Sequence, residues 1–161
     1  MKTIIQLLLV CLTAVTLSAA ESAKPAAFQM RLVQDGAGPD TEQMAITHST
    51  KDENPTYKEV LHVQKTLLID HTALSSAVVQ KDVIRGNPEI EITFTDKGRK
   101  LFAEVTRQNV GKRLAIVVDG KLLSAPKIIM GIPGGKGVIS GNFSEQESKE
   151  LTTKINEAVK K

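Results

Sequence analysis

The sequence predicts an α+β domain in which a mostly antiparallel sheet carries two main helices packed on one face. Three observations lead to this class. Short segments of alternating or continuous apolar residues, separated by Gly, Pro and Asp, recur along the chain and predict strands. Two longer segments, residues 95–110 and 145–160, repeat apolar residues at helical spacing. A length of 161 residues suits one domain.

The strands predicted before the first helix mostly alternate apolar and polar side chains. Asp70 is predicted to cap a short helical turn among them. In the last of these strands, Ile90, Ile92 and Phe94 share one face, which is typical of a half-buried antiparallel strand. The predicted strands are residues 28–33, 43–47, 57–68, 77–84 and 89–94.

The first helix is predicted over residues 95–110. Leu101, Phe102 and Val105 form its apolar stripe, and Gly111 is suited to the position just beyond its end.

A hairpin is predicted after this helix. The run LAIVV, residues 114–118, is continuously apolar and typical of a central strand. Asp119-Gly120 favours a type I′ turn, because that turn needs positive φ at both positions. The return strand, residues 121–130, contains Pro126. Since proline cannot donate to a sheet ladder, this strand is predicted to lie at an edge or to carry a bulge there.

A last short strand in GVISGNF precedes the second helix. Ser144 and Glu147 form a capping box that predicts the start of this helix, which runs from about Glu145 to Lys160. Its core-facing residues are predicted to be Leu151, Ile155, Ala158 and Val159.

Residues 1–20 predict a secretory signal peptide. Lys2 precedes a mostly apolar run, and small residues lead up to a cleavage site after Ala20. We therefore expect an exported domain, residues 21–161, with no cysteine and no membrane span after cleavage. The alternative is a membrane anchor, through an uncleaved signal or a lipid on Cys11.

Charge and composition predict no nucleic-acid partner. Cleavage would remove Lys2 and leave 20 of the 21 basic residues against 18 acidic residues, a net charge of only +2. One Tyr and no Trp provide no stacking platform for bases.

The segment GIPGGKG, Gly131 to Gly137, resembles a phosphate-binding loop but departs from G-x-x-x-x-G-K-[ST]. Lys136 follows Gly135 correctly, but Met130 stands where the first Gly is required. The final Gly stands where Ser or Thr is required, and a predicted strand follows instead of a helix. The segment is therefore predicted to be a turn between strands, with no nucleotide and no other cofactor.

No arrangement of side chains predicts a catalytic or metal site. Ser140 lies outside a G-x-S-x-G motif, and Glu89 and Glu91 fit a solvated sheet face. A secreted enzyme is therefore poorly supported, although histidines and acids gathered in one pocket would favour it. The three histidines, His48, His62 and His71, are scattered without metal-ligand spacing.

The segment FTDKGRKLFAEVTRQNVGKRLAIVVDGKLLSAPKI, residues 94–128, closely resembles the head subdomain of the first periplasmic domain of SecD, in the SecD/SecF protein-export family. The family pattern is a strand ending in F-[TD]-x-x-G, then F-A-x-x-T-x-x-N-x-G-K-R-L-A-I-V-x-D-G, then S-A-P. FQMRLV and GKGVISGNFSEQESKEL resemble its opening strand and its final part. The core of the resemblance covers residues 57–158, and it is weakest over residues 35–56.

The resemblance implies scaffold roles for six motif residues, which end a helix, turn the chain or mark a sheet edge. SecD-like proteins also carry a base subdomain and membrane helices, which this sequence does not match. We therefore expect a stand-alone exported head domain. The six motif residues are Gly98, Gly111, Asp119, Gly120, Pro126 and Gly141.

The resemblance further implies a non-enzymatic periplasmic module that binds unfolded or emerging polypeptides, as an accessory to export machinery of the SecD/SecF type. An alternative is a structural protein that docks on one folded envelope partner. The return strand is the expected contact edge, unless its apolar side chains fill the core. The predicted contact residues are Leu122, Leu123, Ile128 and Met130.

Overall fold

A computed structural model describes residues 28–48 and 57–160. The predicted signal peptide, including Cys11, lies outside these residues. Neither helix of the described chain is long and apolar enough to cross a membrane. The strands are β1 (Phe28–Gln34), β2 (Thr41–His48), β3 (Tyr57–Gln64), β4 (Ile69–Asp70), β5 (Leu74–Lys81), β6 (Pro88–Phe94), β7 (Leu114–Val118), β8 (Lys121–Ser124) and β9 (Lys136–Ile139). The helices are α1 (Asp96–Gln108) and α2 (Glu145–Val159), and a 3-10 turn covers His71–Ala73.

The strands form two antiparallel sheets where the sequence predicts one. The large sheet has the order β2-β3-β1-β7-β8, with β4 paired to β1, and the small sheet has the order β5-β6-β9. The chain passes between the sheets more than once, because β5 and β6 form the small sheet, β7 and β8 belong to the large one, and β9 then pairs with β6. Helix α2 packs on β5 and β6, and α1 packs on β4, β6 and the 3-10 turn. The α+β class, the antiparallel pairing and the two helices are confirmed.

Strand β7 is buried along its whole length and on both faces. It lies between β1 and β8, with Ile116 opposite Met30. The side chains of Leu114 and Ile116 enter the main core, whereas Ala115 enters a second hydrophobic cluster on the other face. A strand covered on both faces needs a continuous apolar run, so the prediction of a central strand is confirmed.

Two hydrophobic clusters cover the two faces of the large sheet. The main core joins Met30 and Ile116 to Ile92 of β6, Phe102 of α1 and Ile155 of α2. The second cluster forms where the sheet curls and brings β2 against β8. Its buried members are Ile46, Leu61, Val63, Ala115, Val117, Leu122 and Ala125.

The predicted turns and caps are present. Asp119 and Gly120 have φ values of 50° and 77°, as a type I′ turn requires. Asp70 caps the 3-10 turn by accepting a hydrogen bond from its second residue. Ser144 and Glu147 form both hydrogen bonds of the capping box at the start of α2.

The return strand is shorter than predicted. β8 stops at Ser124, and the irregularity in its ladder lies beside Ile116 instead of at Pro126. The chain still pairs for a short distance with the first residue of β7 and with the residues before it. Leu114 N–H donates to the Pro126 carbonyl at 2.9 Å, and Ile128 N–H donates to the Lys112 carbonyl at 2.8 Å. The segment then leaves the sheet.

The predicted stripe of α1 is wrong at Leu101, which is 42% exposed. The buried side of the helix is centred one residue further along, on Phe102, with Val105 and Thr106. The reason is that Gly98, one turn earlier, packs directly on the 3-10 turn and sets the rotation of the helix.

Gly98 permits a backbone-to-backbone contact between α1 and the 3-10 turn. The Ala73 carbonyl accepts a hydrogen bond from Thr95 N–H at 2.9 Å. A Cβ atom at Gly98 would lie 1.9 Å from that carbonyl oxygen, which no non-bonded contact allows. Two other motif glycines serve differently, since Gly111 has a φ of +90° and Gly141 lies beneath an aromatic ring.

An ion pair ties β3 to the start of β7. Arg113 donates to both carboxylate oxygens of Glu59, at 2.6 and 3.2 Å, and to the Ala125 carbonyl at 2.9 Å. His48 Nε2 lies 2.9 Å from the same carboxylate, and the His48 ring stacks on Tyr57. Hydrogen bonds from Arg113 and His48 lower the pKa of Glu59 from 4.5 to about 2.

The close contact at Gly98 leads to a prediction for stability. We expect Gly98→Ala to lower the free energy of unfolding by about 1–3 kcal/mol, because the helix must move away from the Ala73 carbonyl. Gly134→Ala is the matched control, since a Cβ there meets no atom within 4 Å. Chemical denaturation of both variants measures the difference. Equal stability of the two variants would contradict the close packing.

The lowered pKa of Glu59 leads to a prediction for pH dependence. A carboxyl whose folded pKa is depressed stabilises the fold above its unfolded pKa, and this stabilisation is lost as the pH falls through the folded pKa. We expect Glu59→Gln to lower the free energy of unfolding by about 1 kcal/mol at neutral pH, as for a partly exposed pair. The difference from the parent chain should shrink as the pH falls from 4.5 to about 2.

Urea denaturation at several pH values measures this difference. Glu157→Gln, on the exposed side of α2, is the control and should show no comparable pH-dependent gap. If the loss of unfolding free energy in Glu59→Gln stays constant over the whole pH range, the ionised Glu59 carboxylate does not stabilise the fold in this way.

Candidate functional site

An apolar cleft lies between the two sheets, beside the edge strand β9. Its floor consists of main-core side chains, including Met30, Ile92, Phe102 and Ile116. Strand β9 forms one wall, and residues 126–132, the wall segment, form much of the other. The cleft has a volume of about 260 Å³.

Beyond the hydrogen bond at Pro126, the wall segment is held at Ile128 and at Ile132. Gly111 N–H donates to the Ile128 carbonyl at 2.8 Å. Further along, Ile132 N–H donates to the hydroxyl of Thr106 at 2.9 Å. This hydroxyl is fully buried and itself donates to a main-chain carbonyl of α1. The backbone between Ile128 and Ile132 is therefore fixed at both ends by hydrogen bonds.

Four aliphatic side chains at the mouth of the cleft are exposed to solvent. The exposed fractions are 83% for Ile129, 68% for Met130, 47% for Val138 and 39% for Ile132. Scattered exposed aliphatic residues are normal, but a group around an apolar cleft is typical of an interaction site. We call these four side chains the rim.

The basic residues beside the cleft give its surroundings a positive charge. Lys127 and Lys136 line it, and the Arg99 side chain packs beside the glycine turn that leads into β9. Lys136 Nζ lies 2.7 Å from a Glu91 carboxylate oxygen, whereas Lys127 forms no ion pair within the described chain. These charges favour neutral or acidic ligands over basic ones.

The structure separates the four predicted contact residues. Leu122, Leu123 and Ile128 are at most 5% exposed, because both faces of the large sheet are covered near β8. Leu122 belongs to the second cluster, and the other two belong to the main core. These three residues therefore follow the alternative expectation, in which the apolar side chains of the return strand fill the core. Met130 lies on the rim, and Ile128 also lines the cleft, so polypeptide contact at these two positions stays a prediction.

Sequence reasoning missed Ile129, Ile132 and Val138. A signal for the first was present, because Ile128, Ile129 and Met130 are three consecutive apolar residues in a segment that contains no helix. Consecutive residues of an extended chain point to opposite sides, so at least one of the three must lie away from the core.

Residues 131–135 of the glycine-rich segment form a turn that leads into β9, which confirms the predicted turn, and the last two residues of the segment belong to β9. No helix begins there, and a salt bridge holds Lys136 to Glu91 on the neighbouring strand. The glycines serve to bring the chain from the wall segment to β6. Gly137 in particular leaves space over Ile92 on the cleft side of the sheet.

A shallow polar depression brings together His48, Asp82, Glu89 and Ser140. Ser140 Oγ donates to Glu89 at 2.5 Å, whereas His48 is hydrogen-bonded to Glu59. The described contacts therefore contain no nucleophile–base pair of serine and histidine. The other two histidines lie elsewhere, in β3 and in the 3-10 turn. Within residues 28–48 and 57–160, no group of three acidic or histidine side chains could hold a metal ion.

Comparison with protein families identifies the domain. Residues 43–158 match the model described as SecDF, P1 head subdomain. The SecD translocase subunit of Sebaldella termitidis is 48% identical over 84 residues, and SecDF of Thermus thermophilus is 53% identical over 66 residues. These regions cover 52% and 41% of this chain but only 20% and 9% of the relatives. The chain thus spans one fifth or less of the length of these relatives.

Solved SecDF structures have the same fold. One, of a membrane component SecDF that enhances protein export, gives a TM-score of 0.62 at 32% identity, over 81% of this chain and 62% of that chain. A SecDF crystal structure in a super-membrane-facing form gives 0.61 at 32% identity, over 81% and 18%. The family match covers most of the sequence and agrees with the resemblance of residues 94–128. The chain therefore belongs to the SecDF P1 head subdomain family.

Proposed function

We propose that this domain is a non-enzymatic periplasmic module that binds unfolded or emerging polypeptides in the cleft and assists protein export. One observation carries the proposal: exposed aliphatic side chains form a rim around an apolar cleft. Their exposure to water is unfavourable, and a bound apolar segment would relieve it. The family's curated members are translocase subunits, which supports a role in export.

The size and polarity of the cleft support an extended polypeptide as the ligand. A volume of about 260 Å³ is slightly below the roughly 300–1,000 Å³ of small-molecule pockets. It suits a few apolar side chains. Because the floor is aliphatic and aromatic, contacts there are non-directional and tolerate many sequences.

Export and location are supported by two further features. The sequence of residues 1–20 predicts a signal peptide. The family match is to a head subdomain of the SecDF export protein. We propose that the domain acts in the periplasm beside export machinery of the SecD/SecF type.

Binding of a permanently unfolded polypeptide tests this proposal. We expect the purified chain to bind a fluorescent unfolded protein with micromolar affinity, measured by anisotropy. Ile129→Ser should weaken binding at least about tenfold, because a central apolar contact contributes on the order of 2 kcal/mol. Folding stability should change by less than about 0.5 kcal/mol, since the side chain is exposed.

Val83→Ser is the matched control, because Val83 is 99% exposed but lies in the β5–β6 turn, outside the residues that line the cleft. It should bind the unfolded protein like the parent chain. Equal losses in the two variants would show that general surface hydrophobicity, and not the cleft, is responsible. Failure of the parent chain to bind at high concentration would refute the proposal.

Docking on one folded envelope protein is a second candidate function, and a separate surface favours it. In the β5–β6 turn, Val83 and Ile84 are 99% and 90% exposed. The turn is well braced, since Asp82 Oδ1 accepts hydrogen bonds from the N–H groups of Ile84 and Arg85 at 2.7 and 2.8 Å. A rigid turn that presents two exposed aliphatic side chains at its tip suits a preformed apolar pocket on a folded protein.

Crosslinking in the periplasm distinguishes the second candidate from the first. If docking is the function, we expect one stoichiometric partner that is lost with Ile84→Ser and retained with Ile129→Ser. The reverse dependence would assign the crosslinks to the cleft and reject the tip as the docking surface.

A further inference from the structure

Strand β9 presents a free edge to the cleft. It pairs with β6 on one side, and no described strand pairs with its other side. All four residues of β9 line the cleft. Edge strands carry main-chain N–H and C=O groups that can pair with another chain, so the cleft offers backbone hydrogen bonds as well as apolar surface.

The ladder register shows which groups point to this free edge. Phe94 N–H donates to the Gly135 carbonyl at 2.9 Å. In an antiparallel ladder, hydrogen-bonded pairs alternate with non-hydrogen-bonded pairs. Gly137, two residues further on, therefore directs its main-chain groups to β6. Lys136 and Val138 direct theirs away from β6, to the free edge.

A strand added at this edge would place every second side chain in the cleft. Gly137 pairs with Ile92 and so faces the same side of the sheet, the side of the apolar floor. Because Gly137 has no side chain, no Cβ of β9 covers Ile92 and Phe94 at this position, although both lie within van der Waals distance of where that atom would be. The intervening side chains would lie on the outer face with Val138, which is 47% exposed.

We propose that the ligand of the cleft is an extended segment of another polypeptide that pairs with β9 as an added strand, hydrogen-bonded to the main chain of Lys136 and Val138. This inference rests on the proposed function and adds the mode of binding. The segment is apolar at alternate positions and neutral or acidic between them, because Lys127 and Lys136 flank the edge. Main-chain pairing is independent of side-chain identity, so many sequences can bind.

Amide hydrogen exchange, followed by NMR on the purified chain, tests the pairing directly. The probe is a synthetic peptide in which Val alternates with Glu. In the free chain, the Gly137 amide should exchange slowly because it is bonded to β6, and the Val138 amide should exchange fast. Saturation with the peptide should slow exchange at Val138 at least about tenfold and change Gly137 little.

A pair of variants tests the same groups from the protein side. Val138→Pro removes the outward N–H but leaves the β6 ladder intact, since proline is tolerated where the N–H faces away from the sheet. It should weaken peptide binding roughly tenfold relative to Val138→Ala, which loses only side-chain atoms. Circular dichroism confirms that both variants are folded.

The outcomes separate this inference from the proposed function. Peptide binding without slower exchange at Val138, or with equal affinity in the two variants, would overturn strand pairing and leave polypeptide binding intact. Absence of binding by both the peptide and the unfolded protein would overturn both. Slowed exchange at Val138 together with the proline-specific loss would establish the added strand.

Discussion

Burial of β7 on both faces is the constraint on which the rest of the structure depends. One face packs in the main core with the small sheet and the helices, and the other needs a second layer, which the curled β2-β3 pair supplies. Polar contacts secure both ends of the strand. Arg113 holds Glu59 of β3 at its start, and Lys154 of α2 lies 2.6 Å from Asp119 in the turn at its end.

The cleft exists because this packing is incomplete at one side. After β8, the chain pairs briefly with the first residue of β7 and the residues before it, and then leaves the large sheet for the small one. The wall segment crosses this gap and is anchored on Thr106 of α1. Between it and β9, part of the main core is reached from solvent, and the side chains at this opening are aliphatic. This crossing therefore joins the two sheets at β9 and forms the candidate site.

The segment that identifies the family supplies much of the floor of the cleft but not its exposed rim, since Phe102 and Ile116 line the cleft and the rim begins at Ile129. Gly98 allows the close contact of α1 with the 3-10 turn, and Asp119-Gly120 form the hairpin turn. These are scaffold roles, and they explain why the sequence of residues 94–128 indicates a fold without displaying a chemistry. The rim residue Ile129 lies on the wall segment and Val138 lies on the edge strand β9. At such positions a shared fold can carry different side chains for binding.

The sequence by itself determined the α+β class, the central strand β7, the Asp119-Gly120 turn, both helices and the family, because each depends on local periodicity, caps or a specific motif. Only the tertiary structure decided that the strands form two sheets, that Leu101 faces solvent, and that Leu123 is buried while Ile129 is exposed. Local patterns specify which residues are apolar and whether their spacing is that of a helix or of a strand. They do not specify which layers meet, and burial at the edge of β8 and around the cleft depends on contacts between segments far apart in the chain.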